Sequence, residues 1–152
     1  MTVQKNKRYT SNIKYVYIPT KITFQAQIIY RKLNQHQKQD IGRHILDLAY
    51  AIELNANRAN SVYVMVEEER NLRLKYLIEA HANCSALLGF IDNLIDCPLK
   101  EFSTDDEGKR IKKYLIKTNL IIELCALCKQ ECELLKGVIK QTRIKEAKTT
   151  KK

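Results

Sequence analysis

Apolar positions recur at helical spacing over most of the chain. Ile22, Ala26, Ile29 and Leu33 follow steps of 4, 3 and 4, and Thr20 just ahead of them has the side chain of a helix cap. Residues 1–20 read as a tail, with a short extended piece over residues 13–18 punctuated by Pro19. Residues 22–30 also fit a strand, so the first helix leans on the pattern that follows it. A second helix is predicted over residues 38–60, with Ile41, Ile45, Leu48, Ile52, Ala56 and Ala59 on one side and Arg43, Asp47 and Arg58 on the polar side. Glu67, Glu68 and Glu69 then suit the first turn of a third helix, where the helix dipole is positive. That helix is expected to run to about Asp96 and to be stopped by Pro98. The polar loop of residues 103–108 separates it from a fourth helix.

The fourth helix has the clearest pattern. Ile111, Tyr114, Thr118, Ile121, Cys125, Cys128, Cys132, Leu135 and Ile139 form a heptad seam. A second stripe, Leu120, Leu124, Leu127, Leu134 and Val138, lies about 110° round the helix, with Glu131 as its one interruption. A helix in a monomeric four-helix bundle buries one stripe, so two stripes imply a second packing surface, either unusually deep burial or, as the favoured expectation, a subunit interface.

These elements predict an all-α protein: an antiparallel up-down four-helix bundle over residues 21–142, with a basic N-terminal arm over 1–20, a basic C-terminal tail over 143–152, and self-assembly. Composition agrees, since 152 residues amount to one domain and 4 Gly, 2 Pro and no Trp argue against a turn-rich β fold. Charge changes the picture more. The chain carries 27 Lys plus Arg against 17 Asp plus Glu, a net +10. Residues 1–21 hold +5 and residues 136–152 hold +6, which leaves −1 for the 114 residues between. Basic ends of this kind collect phosphate backbone, or simply keep a protein soluble.

Lys14 and Lys21 interrupt any apolar stretch that a secretory signal would need. The charge-free residues 80–91 fall short of the roughly 18 apolar residues of a membrane span. A cytoplasmic protein is therefore expected, with its five cysteines reduced.

Candidate chemistry is sparse. His81, Cys84, Cys125, Cys128 and Cys132 are ligand types that zinc accepts, but all occupy helical seam positions, where cysteine packs as a small hydrophobe. No metal site and no cofactor are expected. Arg31-x-x-x-x-His36 matches the loose spacing of HEPN ribonucleases, a short motif with no second catalytic partner beside it. With no Gly-rich phosphate loop, paired carboxylates or serine nucleophile motif, no catalytic residue is assigned.

Residues 22–140 as a whole resemble the four-helix-bundle family of the accessory variability determinant of diversity-generating retroelements, which includes proteins encoded in 23S rRNA intervening sequences. Arg31-Lys32-Leu33-Asn34, Lys38, the run Ile45, Leu48, Ala49, Ile52, Ala59-Asn60, then Arg70, Leu74, Leu77, Leu87-Leu88, Asn93-Leu94 and Leu134-Leu135-Lys136-Gly137 carry the resemblance. The sequence departs from the family at Asn34, where proline is usual, and at Ser85 and Gly89, where arginine is frequent; it also lacks a tryptophan near the end of the fourth helix.

The resemblance implies a homopentamer that binds a reverse transcriptase and its template RNA, or an RNA/DNA hybrid, as a non-catalytic scaffold. Phosphate contacts are expected first from Lys5, Lys7, Arg8 and Lys14 and next from Arg43, Arg58, Arg70 and Arg73. Tyr9, Tyr15 and Tyr17, interleaved with these cations, are candidates to stack bases or to dock on their own bundle. A purely structural oligomeric bundle and a HEPN-like RNA-cleaving toxin are the competing classes.

Overall fold

The computed structural model describes the backbone of residues 3–96, 100–104, 106–114 and 118–149, and side chains over residues 14–95, 106–109 and 119–143. In chain order, α1 (Val3–Lys32) is followed by a single turn, α2 (Gln35–Gln37), which runs through a π-helical turn (Lys38–Gly42) into α3 (Arg43–Ser61). Next come α4 (Glu67–Asp96), the strands β1 (Lys100–Thr104) and β2 (Arg110–Tyr114), and α5 (Thr118–Thr149). The four long helices pack as a ring, α1 on α3, α3 on α4, α4 on α5 and α5 on α1, which makes a four-helix bundle.

Side-chain pairings set the direction of each neighbour. Thr23 donates to the Ala49 carbonyl, Thr20 to Glu53 and Tyr15 to Asn60, so positions on α3 climb as those on α1 fall. Between α4 and α5, Cys125 meets Asp92 and Cys132 meets Ser85 in the same opposed sense. The His44–Phe90 edge contact and Arg58 over Tyr76 do likewise for α3 and α4. Gln25 donates to the Leu120 carbonyl, whereas Tyr15 and Val16 share a cluster with Leu135, Val138 and Ile139.

The core fills the ring from four seams. Ile18, Ile22, Ala26, Ile29 and Leu33 of α1 face Ile45, Ala49 and Ile52 of α3, with Cys84, Leu87 and Ile91 of α4 and Ile121, Leu124 and Cys128 of α5. A second cluster at the other end joins Tyr15, Ala56, Ala59, Leu77, Ala80 and Leu135.

Three expectations need correction. The expected arm over residues 1–20 is helical from Val3 and continuous with the first bundle helix. The apolar period runs back through Ile18 and Tyr15, both buried, so the core face extends past Thr20. Pro19 removes one backbone hydrogen bond from the helix, and burial on either side of it holds the helix together. Thr20 reaches across to Glu53 at 3.0 Å instead of capping.

The second correction concerns residues 100–114. The expected polar loop is part of an antiparallel hairpin in which Lys100 pairs with Tyr114 and Thr104 with Arg110. Ile111 and Tyr114, read as the start of the helical seam, lie in β2, and α5 begins at Thr118. Phe102, Thr104, Ile111 and Tyr114 are residue types that favour strands, and Gly108 adopts φ 79 in the turn, a backbone conformation costly for other residues. Pro98 lies outside the described residues.

The third concerns the second stripe of α5. Leu124 is wholly buried in its own chain, and Leu120, Leu127, Leu134 and Val138 are half-buried against the same cores. Cys125, Cys128 and Cys132 of the heptad seam meet Asp92, Cys84 and Ser85 of α4, and Leu120 of the second stripe offers its carbonyl to Gln25 of α1. The second stripe is thus largely covered within its own chain, the deep burial that two stripes also allowed.

Local chemistry fixes the helix starts. Asn34 accepts from the Gln37 amide at 3.0 Å and Gln37 returns a side-chain oxygen to the Asn34 amide at 3.3 Å, a capping box. Glu69 accepts from the Met65 and Val66 amides at 2.7 and 3.2 Å, so it caps the entry to α4 in addition to suiting its dipole. Gly42 lies where the π turn meets α1. A Cβ there would stand 2.7 Å from Tyr30 Cδ2 and 2.9 Å from Leu33 Cδ1, whereas Gly89 on α4 has open space. Thermal melts should therefore show Gly42→Ala destabilised by about 1–3 kcal/mol through overpacking, and Gly89→Ala stabilised by up to about 1 kcal/mol through helix propensity.

Candidate nucleic-acid interface

The two basic blocks stand at opposite ends of the sequence but at one end of the bundle. Because α1 and α5 run in opposite directions, the start of α1 meets the end of α5, and the end of α3 and the start of α4 close the same end. Lys14, Arg58, Lys75, Lys136, Lys140 and Arg143 are exposed there, with Arg70 and Arg73 half-buried. Lys5, Lys7 and Arg8 belong to the helical start of α1; their side chains lie outside the described residues. Arg43 is separated from the group. It begins α3 at the opposite end, next to the turn packed on Tyr30 and Leu33.

Three of these cations have local ties. Arg58 lies over the Tyr76 ring, 5.8 Å from its centroid, and Lys136 pairs with Glu133 at 2.8 Å, an exposed contact that binding competes with easily. Arg73 donates to the Tyr15 hydroxyl at 3.3 Å, and that hydroxyl donates to Asn60 at 3.3 Å. Arg73 thus serves the bundle as well as its surface. Glu67, Glu68, Glu69 and Glu133 are acids of the same end, with Glu69 engaged in capping and Glu133 paired with Lys136. Lys75, Lys136, Lys140 and Arg143 were not singled out as contacts from sequence. Only the opposed course of the helices reveals that they join Lys14.

Tyr15 and Tyr17 take opposite roles. Tyr15 is 1% exposed and closes the second core cluster, with its hydroxyl pushed above the ordinary tyrosine range by burial, against the pull of Arg73. Tyr17 is 56% exposed, and Tyr9 has its side chain outside the described residues.

Beneath the basic end, the second stripe of α5 contains Glu131. It is fully buried, and neither carboxylate oxygen has a hydrogen-bond partner. Burial, aided by Cys132, pushes its carboxyl up to about 8, so it is mostly protonated at neutral pH.

Cys84, Cys125, Cys128 and Cys132 sit in the core, and Cys97 lies outside the described residues. Cys84 donates to the Cys128 carbonyl at 3.2 Å, and Cys125 approaches Asp92 at 3.7 Å. The hydrogen bond at Cys128 raises the Cys84 thiol and contact with Cys84 raises Cys132, each reinforced by burial; both stay well above the usual thiol range and therefore unreactive. Among the described residues no three His, Cys, Asp or Glu side chains converge as metal ligands would. His36 is exposed on its single turn, 4.0 Å from Asp40. No described helix is long and apolar enough to cross a membrane. Comparison with family models, curated proteins and solved structures finds no match.

The Glu131 proton generates a pH prediction. The unfolded chain releases it near the ordinary carboxylate value of 4.5 and the folded chain near 8, so stability falls as pH rises between these values. Glu131→Gln should melt close to the parent at pH 4 and several degrees above it at pH 8, as followed by circular dichroism.

Proposed function

We propose that the protein is a non-catalytic nucleic-acid-binding scaffold, an up-down helical bundle whose basic end holds phosphate backbone. The observation that carries this reading is the gathering of Lys14, Arg58, Arg70, Lys75, Lys136, Lys140 and Arg143 at one end of the ring. Cations on four different helices, fixed by one core, present several phosphate contacts at once, which a single flexible tail does only with a loss of conformational entropy. Such contacts position a nucleic acid without reading its sequence. That property suits an accessory that delivers RNA to a partner enzyme.

The resemblance to the retroelement accessory family supplies the finer reading: template RNA or an RNA/DNA hybrid as ligand, a reverse transcriptase as partner, and a homopentamer as the working assembly. The packing of Leu120, Leu124, Leu127, Leu134 and Val138 within their own chain leaves that stripe a small share of any assembly contact. Basic charge on several subunits would add phosphate contacts and steepen the salt dependence.

Light scattering and anisotropy with structured RNA across a salt series test the reading. Binding should weaken log-linearly with salt, and Lys136→Ala with Lys140→Ala should lower the slope by roughly 1 per lysine. Arg43→Ala, at the far end, should leave it nearly unchanged. Binding that is absent, or indifferent to salt, would count against a scaffold and leave a structural bundle.

A further inference from the structure

A further face of α1 lies outside the core and meets the basic end only at Lys14. The 30-residue helix has seven basic residues and no acid anywhere along it. Its buried face is Tyr15, Ile18, Ile22, Ala26, Ile29 and Leu33. Away from that face, Lys14, Tyr17, Lys21, Phe24 and Arg31 succeed one another at steps of 3, 4, 3 and 7, one exposed stripe of the helix. Cation and aromatic ring alternate along it.

The rings are unusually open for their size. Phe24 is 62% exposed and Tyr17 is 56% exposed, while Lys21 Nζ lies 4.8 Å from the Tyr17 ring centroid. No packing requirement accounts for Phe24: the core period passes it by, and its neighbours on the α3 side, Thr20 and Gln27, are occupied with Glu53 and Tyr50. Glu53, which accepts from Thr20, and Glu123, which accepts from Gln25, lie on the flanks with their charge retained, while the stripe itself contains no acid.

We infer that this stripe of α1 binds single-stranded nucleic acid, with bases stacked on Tyr17 and Phe24 and phosphates held by Lys14, Lys21 and Arg31. The inference rests on the nucleic-acid reading above and deepens it by naming a second contact surface and the form of strand it selects. Bases offer aromatic faces only when unpaired, so stacking favours a single strand over a duplex, whereas phosphate contacts at the basic end accept either. Seven residues of helix place the two rings about 10 Å apart, roughly three steps of a stacked strand at about 3.4 Å each. Lys21 lies between them in sequence, where the intervening phosphates pass. Lys14 lies at the edge of the basic end, so one strand crossing the stripe continues onto that surface.

Fluorescence anisotropy of the full chain with a labelled polyuridine oligomer and with an RNA duplex separates the two surfaces. Tyr17→Ala with Phe24→Ala should weaken polyuridine binding at least about tenfold and change duplex binding by less than about twofold. Tyr17→Phe with Phe24→Tyr, which keeps both rings, should retain polyuridine binding. Lys136→Glu with Lys140→Glu should weaken both ligands and reports on the basic end alone. Polyuridine binding that survives loss of both rings overturns the stripe and leaves the basic-end reading standing. Equal loss for polyuridine and duplex, with an unchanged circular dichroism spectrum, also overturns it. Vesicles containing anionic lipid form the remaining arm: binding to them that depends on Tyr17 and Phe24, with no binding to polyuridine, would identify a membrane-surface helix instead.

Discussion

α5 meets α4 where Cys125, Cys128 and Cys132 contact Asp92, Cys84 and Ser85, and meets α1 where the Leu120 carbonyl accepts from Gln25 and Leu135 and Val138 cluster with Tyr15. The remaining architecture depends on this double contact. A helix with one apolar seam closes against one layer, but a ring of four requires each helix to meet two neighbours. On α5 the two seams stand about 110° apart, close to the angle a square of helices presents at each corner. α5 is thereby fixed against α1, and the start of α1 and the end of α5 are drawn to one end.

That closure is bought with two local compromises. Pro19 interrupts the hydrogen-bond ladder of α1 between Tyr15 and Thr20, and Glu131 places a carboxyl in the second stripe of α5. Both lie in well-covered parts of the bundle, where apolar neighbours on either side keep the helices in contact. The Glu131 carboxyl responds by holding its proton, which avoids burying a charge but leaves both its oxygens without partners. In the Tyr15, Asn60 and Arg73 chain, polar groups from three helices hydrogen-bond to one another, although the buried Arg73 Nε has no partner. The same core end thus contains one connected polar group and one solitary carboxyl, beneath the most basic surface of the molecule.

Function enters through what the ring leaves outside. Cysteines and His81, which suggested metal chemistry by type, are positioned by seam periodicity, and the thiols are occupied with core contacts. Cations are instead collected where α1 begins and α5 ends, and the open aromatics of α1 flank that surface. Phosphate attraction and base stacking are different forces with different ranges. Charge acts over about a Debye length, and stacking only on contact. Under the proposed reading, a surface that combines them would attract any nucleic acid and retain unpaired strands longest.

Much of this was legible in the chain itself. The 3–4 spacing of aliphatic residues gave the long helices, Glu67–Glu69 marked the start of α4 to the residue, and the charge division located the basic segments. These are local properties, decided by periodicity and residue type within a few turns. Three outcomes were decided by tertiary contact. Residues before Thr20 became helix because Tyr15 and Ile18 found partners on other helices, which no local signal next to Pro19 could overrule. Residues 100–114 formed a hairpin although Ile111 and Tyr114 kept helical phase, because strand pairing is not written in the period of one segment. The second stripe of α5 packed against the cores of its own chain, and the opposed helices brought Lys14 of α1 to the same end as Lys136, Lys140 and Arg143 of α5, since proximity in a bundle follows the direction of its helices and not the distance along the chain.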